Sequence, residues 1–146
     1  MKKRHDKYIM SKDEILDYTD KIFWDGWDTF INNLQDRELF ELIDTINNAA
    51  LPEIIWTDDL PIDCCGKIIE RSNSYGKSIK SSYEIRLNTY FLYYDNAKNF
   101  IRETLLHELA HYFCDVMFGE FNHGKSFKTA CRILCEDVDI SGDGNY

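Results

Sequence analysis

The chain has 146 residues, 44% hydrophobic and 14% aromatic, with a formal net charge of −9. That length suits one domain with its own core, the composition excludes an intrinsically disordered chain, and the acidic balance argues against wholesale electrostatic binding to nucleic acid. No stretch approaches the ~18 consecutive apolar residues of a membrane-spanning helix, and the start "MKKRHDKYIM" is basic but runs into "SKDE" without the apolar centre of a secretory signal.

Residues 1–10 read as a flexible lead-in. "SKDE" then has capping-box form, with Ser11 as N-cap and Glu14 reaching back. Leu16, Phe23, Trp27, Phe30 and Leu34 follow at near-helical spacing, and a second helical run from about Asp36 to Ala50 places Leu39, Leu42 or Ile43, and Ile46 on one face. The two runs are compatible with a single kinked helix. Both prolines, Pro52 and Pro61, fall where the helices stop. "EIIW" (Glu53 to Trp56) and "CGKIIER" (Cys65 to Arg71) read as short strands, "NSYGKS" has turn chemistry around Gly76, and "YEIRL" puts Tyr83, Ile85 and Leu87 on one side of a half-buried strand. An antiparallel hairpin is expected there.

Asn96 then caps a long helix, roughly Ala97 to Phe118, stopped by Gly119. A last helix is expected from about Lys125 to Val138, with Phe127, Cys131, Leu134 and Val138 on one stripe. Residues 141–146 read as a flexible tail, leaving 11–140 as one domain. Helices, a small antiparallel sheet, then helices make an α+β pattern. The five cysteines (Cys64, Cys65, Cys114, Cys131, Cys135) are odd in number and read as free thiols in a reducing compartment, so a cytoplasmic location is expected. Cys114 is the thiol nearest the chemistry described next.

The long helix contains "HELAH". At about 100° per residue, His107 and His111 lie ~40° apart on neighbouring turns and can face one metal ion. Glu108 lies on the same side, placed to serve a water rather than the metal. Ile101, Leu105, Leu109, Tyr112 and Val116 occupy the opposite side, so the His/Glu arc should face an interior cleft. Thr104 and Asp115 project near that arc as outer partners. His123, twelve residues beyond His111 and just past Gly119, can return over the pair. Three neutral nitrogens leave a fourth position open, the arrangement of a catalytic zinc site. Met117 stands where a metzincin has its third histidine, and Glu136 is offered as a glutamate ligand, but His123 fits better.

"HELAH", a gap of eleven residues and "HGKSF" together resemble the SprT-like (Spartan) zinc metalloprotease family. Trp56, Gly66 and "IRLN" (Ile85 to Asn88) match its weaker upstream features, so the resemblance runs from about Asp28 to Val138. It implies a zincin-like fold with the metal helix packed on the C-terminal helix. It implies one zinc ion held by His107, His111 and His123, Glu108 as general base, and a protein substrate. It also implies recruitment to DNA, although Cys131 and Cys135 sit within a helix rather than in the zinc ribbon many members carry. The charge is uneven: thirteen acids and two bases from Asp13 to Asp59, five bases and two acids from Lys67 to Arg86. Lys67, Arg71, Lys77 and Lys80 are therefore the candidate contacts for weak single-stranded DNA binding. Two other readings share the metal motif: a zinc hydrolase acting on a non-protein substrate, and a zinc-stabilised binding module without catalysis. An intact Glu108 argues against the latter. Oligomeric state is not legible.

Overall fold

The computed structural model describes residues 4–75 and 78–142, with the backbone alone for 72–75 and 78–80. The architecture is α+β, with four α-helices and a three-stranded sheet among the described residues.

Helix α1 spans Lys12–Asp36 and opens on the expected capping box, Ser11 Oγ accepting from the Glu14 amide and Glu14 accepting from the Ser11 amide. Its inward face is Ile15, Ile22, Phe23, Gly26, Phe30 and Leu34, while Leu16 stands outside at 57% exposure. Leu16 sits one residue, about 100°, off the buried stripe.

Helix α2 (Phe40–Asn47) is a separate element, not the continuation of a kinked α1. The break is a Schellman turn: the Leu39 amide donates to the Leu34 carbonyl and the Glu38 amide to Gln35, with Glu38 at φ 59°. A glutamate in this left-handed conformation costs roughly 1–2 kcal/mol. The usual glycine signal is absent, which is why the two runs could also be read as one kinked helix.

The sheet consists of β1 (Glu53–Thr57), β2 (Gly66–Tyr75) and β3 (Ser78–Asn88) in the order β1-β3-β2. The expected hairpin is present as β2 antiparallel to β3, although its turn around Gly76 lies outside the described residues. The expectation of an antiparallel sheet is corrected by β1, which runs parallel to β3 with Ile54 opposite Ile85 and Trp56 opposite Leu87. The hairpin alone leaves the far edge of β3 open, and β1 completes it. Tyr83, Ile85 and Leu87 are buried on one face, as their alternation requires.

A 3-10 helix (Thr89–Tyr93) leads into α3 (Ala97–Phe118), which ends at Gly119 with φ 69°. Helix α3 is the axis of the molecule and is buried on every side from Thr104 to Cys114. Helix α1 covers it through Phe30, stacked on Phe113 at 3.9 Å, and through Trp27, 5.1 Å from the same ring.

Helix α4 (Lys125–Leu134) ends one turn before the expected Val138. Cys135 is extended, and residues 135–141 run back as a strap towards α3. Residues 4–10 are tied to the segment around the 3-10 helix: the His5 and Ile9 amides donate to the Tyr93 and Leu92 carbonyls, His5 pairs with Asp95 at 2.5 Å, and Met10 is 7% exposed, while Asp6 and Lys7 are exposed. Among the described residues no helix is long and apolar enough to cross a membrane, and the five cysteines form no disulfide with one another.

Candidate metal centre

The α3 backbone places His107 and His111 on adjacent turns, and the reversal after Gly119 returns His123 onto them. The His123 Nε2 lies 3.2 Å from the His111 Nε2 and 3.4 Å from the His107 Nε2. His107 and His111 are 0% and 6% exposed, whereas His123 is only partly buried and forms the open side.

Tautomers follow from the partners. The His107 Nδ1 lies 2.5 Å from the Ile140 carbonyl. A carbonyl only accepts, so Nδ1 carries the proton and Nε2 offers a bare lone pair to the centre. The buried His111 Nδ1 has no hydrogen-bond partner. Burial, and then the neighbouring His107 and His123, push its pKa down to about 3, so it is a neutral ring.

Phe127, the first core residue of α4, is the platform for all three imidazoles. It stacks on His111 at 4.1 Å and meets His107 and His123 edge-on at 5.0 Å each. An apolar ring behind the donors excludes water from one side of the cluster and fixes the ring planes.

These residues fit a metal ion. Three nitrogen donors within 4.8 Å of one another could hold one. Donors on a tetrahedral ion with metal–nitrogen bonds of ~2.0–2.1 Å stand about 3.3–3.4 Å apart. The observed separations of 3.2 and 3.4 Å match that edge.

Glu108 is 2% exposed, and burial pushes its carboxyl up to about 8. Its charge is felt by the Cys64 thiol, which is itself raised, by burial first and Glu108 second. Cys64 is held there by Asn88, which donates to the Pro61 and Cys64 carbonyls at 3.1 and 2.9 Å. Asn88 thus ties the loop before β2 to the end of β3. Gly66, at the start of β2, approaches α3 so closely that a Cβ there would meet Thr104 Cγ2 at 2.9 Å and the Arg86 carbonyl at 2.8 Å. The edge strand β2 therefore lies directly against the metal helix.

The outer partners differ from those expected. Thr104 packs its methyl under Gly66. Asp115 accepts from Tyr83 Oη at 2.7 Å, and Glu70 accepts from the same hydroxyl at 3.0 Å. This cluster borders a cavity of about 880 Å³ between β2, α2 and the end of α3. The acceptor that actually orients a histidine is the backbone carbonyl of Ile140, which has no side-chain signature to read. Cys114 is a core thiol, pushed up to about 11 by burial and by Glu120 and Asp115. Glu136 is exposed and lines a cavity whose walls include none of the histidines.

The basic hairpin is less free than its composition suggests. Lys67 is exposed, but Arg71 and Arg86 both pair with Glu84, at 3.5 and 3.1 Å. Lys77 and the side chain of Lys80 lie outside the described residues.

Among curated proteins and among solved structures nothing matches the chain. A family model does, over residues 38–141, a span that leaves out α1 but contains the sheet, α3, the loop bearing His123, α4 with Phe127, and the Ile140 carbonyl behind His107. The elements that assemble the three-histidine cluster are thus those shared by a known group of proteins, and the chain belongs to the SprT-like family.

Proposed function

We propose that the protein is a zinc-dependent metalloprotease in which His107, His111 and His123 hold one zinc ion and Glu108 is the general base. The observation that carries this reading is the convergence of three imidazole Nε2 atoms beside a buried glutamate on one helix. Residues 11–140 form the catalytic unit, and five cysteines without a disulfide suit a reducing cytoplasm.

When bound, zinc supplies Lewis-acid polarisation of the scissile carbonyl and acidifies water. The three histidines bind it as neutral donors, with His107 fixed in one tautomer by Ile140. Glu108 accepts the proton of the attacking water at a carboxylate oxygen. The same proton then passes from Glu108 to the nitrogen of the leaving amine as the C–N bond breaks, so the glutamate returns to its starting state. A raised carboxyl in the metal-free protein suits a group that must take up and release a proton near neutrality, and a neighbouring cation favours its ionised form. Strand β2 lies at the edge of the sheet and against α3, where an extended peptide can add as a further strand. Single-stranded DNA is a weak accessory partner at most, with Lys67 as the exposed candidate contact and Lys77 and Lys80 as further candidates.

The test is digestion of a casein-type substrate by wild type and Glu108→Gln, with metal content measured on both. Gln keeps the shape but cannot take the proton. Activity should fall by about 10²–10⁴-fold, the usual worth of general acid–base catalysis, with metal retained. Equal rates would remove Glu108 from the mechanism.

A further inference from the structure

The strap of residues 135–141 is tied to α3 at two points. At its far end the Ile140 carbonyl accepts from His107 Nδ1. At its near end Asp137 receives Arg102 Nη2 at 3.1 and 3.3 Å, and the Cys135 thiol donates to the same carboxylate at 3.0 Å. Arg102 and His107 are both on α3, five residues apart, so the two ties close a small loop against one helix. The strap starts from a fixed point as well, since Asn33 Nδ2 on α1 donates to the Ile133 carbonyl at 2.7 Å. Ile140 anchors it by burying its side chain in the core at 3% exposure.

We infer that the Arg102–Asp137 pair is a positioning clamp for the metal ligand His107, acting through the strap that presents the Ile140 carbonyl. This inference rests on the metal-centre reading given above. A carbonyl hydrogen-bonded to a ligand's second nitrogen fixes the ring's tautomer and orientation and raises its basicity. The carbonyl belongs to an irregular segment without helix or strand, so its position depends on what holds the segment. Arg102 is the one side chain of α3 whose ion pair reaches the strap among the described residues. The pair is partly exposed, at 31% and 69%, and exposed pairs add little to global stability. Its effect should therefore appear locally, at His107, and not as a loss of fold.

The experiment compares wild type, Asp137→Asn, Arg102→Gln and the conservative Asp137→Glu, all as the full chain. Two quantities are read: the His107 Nδ1 proton by nitrogen-15 NMR of the metal-free protein, and the zinc dissociation constant by competition with a chromogenic chelator. In Asp137→Asn and Arg102→Gln the Nδ1 proton should exchange faster with solvent, and zinc should bind about 3–10-fold more weakly. That is less than the roughly 10–100-fold of a directly lost outer-shell contact. Asp137→Glu should retain most of both properties, and the metal-free melting temperature should hardly move. An unchanged Nδ1 proton with unchanged affinity in both variants would overturn the clamp. So would a general melting loss that broadens all histidine signals alike, which marks a purely structural tie. Wild type that binds no zinc would defeat the metal reading instead, while the metal-free Nδ1 signal still decides the clamp.

Discussion

Helix α3 carries two polar clusters one turn apart, and they solve burial in opposite ways. At His107, His111 and His123, three nitrogen donors converge in an arrangement that could hold a cation. At Asp115, Tyr83 and Glu70, a single hydroxyl meets two carboxylates. Tyr83 has one proton to give, so the second contact is complete only when one carboxyl keeps its own. Asp115 is accordingly raised, by burial first and by its bond to Glu70, with Tyr83 pulling the other way. The first cluster could hold a positive ion, and the second favours retaining a proton. Stability should therefore respond to metal and pH with different signs on adjacent turns of one helix.

The largest effect should come from emptying the first cluster. Metal binding needs neutral imidazoles, and a free histidine titrates near pH 6.5. Acidification and EDTA should each release the ion and lower the melting temperature. His123→Ala should weaken zinc by more than the roughly 10–100-fold cost of an outer contact, because a direct ligand is gone. A melting temperature indifferent to EDTA, with metal loss confirmed, would show that the cluster adds little to the fold.

The second cluster should give a smaller effect of reversed sign. A carboxyl whose folded pKa lies above its unfolded value binds more protons when folded, so its contribution is fully present below the unfolded pKa. It is lost as pH rises through the raised folded pKa. In metal-free protein, the stability difference between wild type and Asp115→Asn should change in that direction over the window above the usual carboxylate range. Chemical denaturation at several pH values measures it, and a pH-independent difference would dissolve the contrast between the clusters.

The smallest effect belongs to the hairpin. With Arg71 and Arg86 already paired to Glu84, few cations are free to meet phosphates. Single-stranded DNA should bind no tighter than about micromolar and lose log affinity with log salt at a slope of about −0.7 per contact. Lys67→Glu should weaken it further. Tight, salt-insensitive binding in a fluorescence anisotropy titration would point to a DNA-dependent enzyme.

Much of the first cluster was legible because its signals are local. The spacing of His107 and His111, the stop at Gly119 and the apolar arc of α3 all lie in one stretch, and the alternation of Tyr83, Ile85 and Leu87 marked the central strand. What escaped depends on distant partners. The parallel pairing of β1 follows from which edge of β3 is open, not from any pattern in "EIIW". Helix α4 ends at Leu134, and the strap beyond it carries Asp137 to Arg102 and the Ile140 carbonyl to His107, a backbone group that any residue at position 140 offers. Tyr83 was read as core, and its hydroxyl became visible only when Glu70 and Asp115 met across it.

The most direct test of the account is elemental analysis of protein purified without chelator. It should find one zinc per chain in wild type and in Glu108→Gln, and little in His123→Ala. A wild-type protein with no transition metal, still folded and still proteolytic, would contradict it.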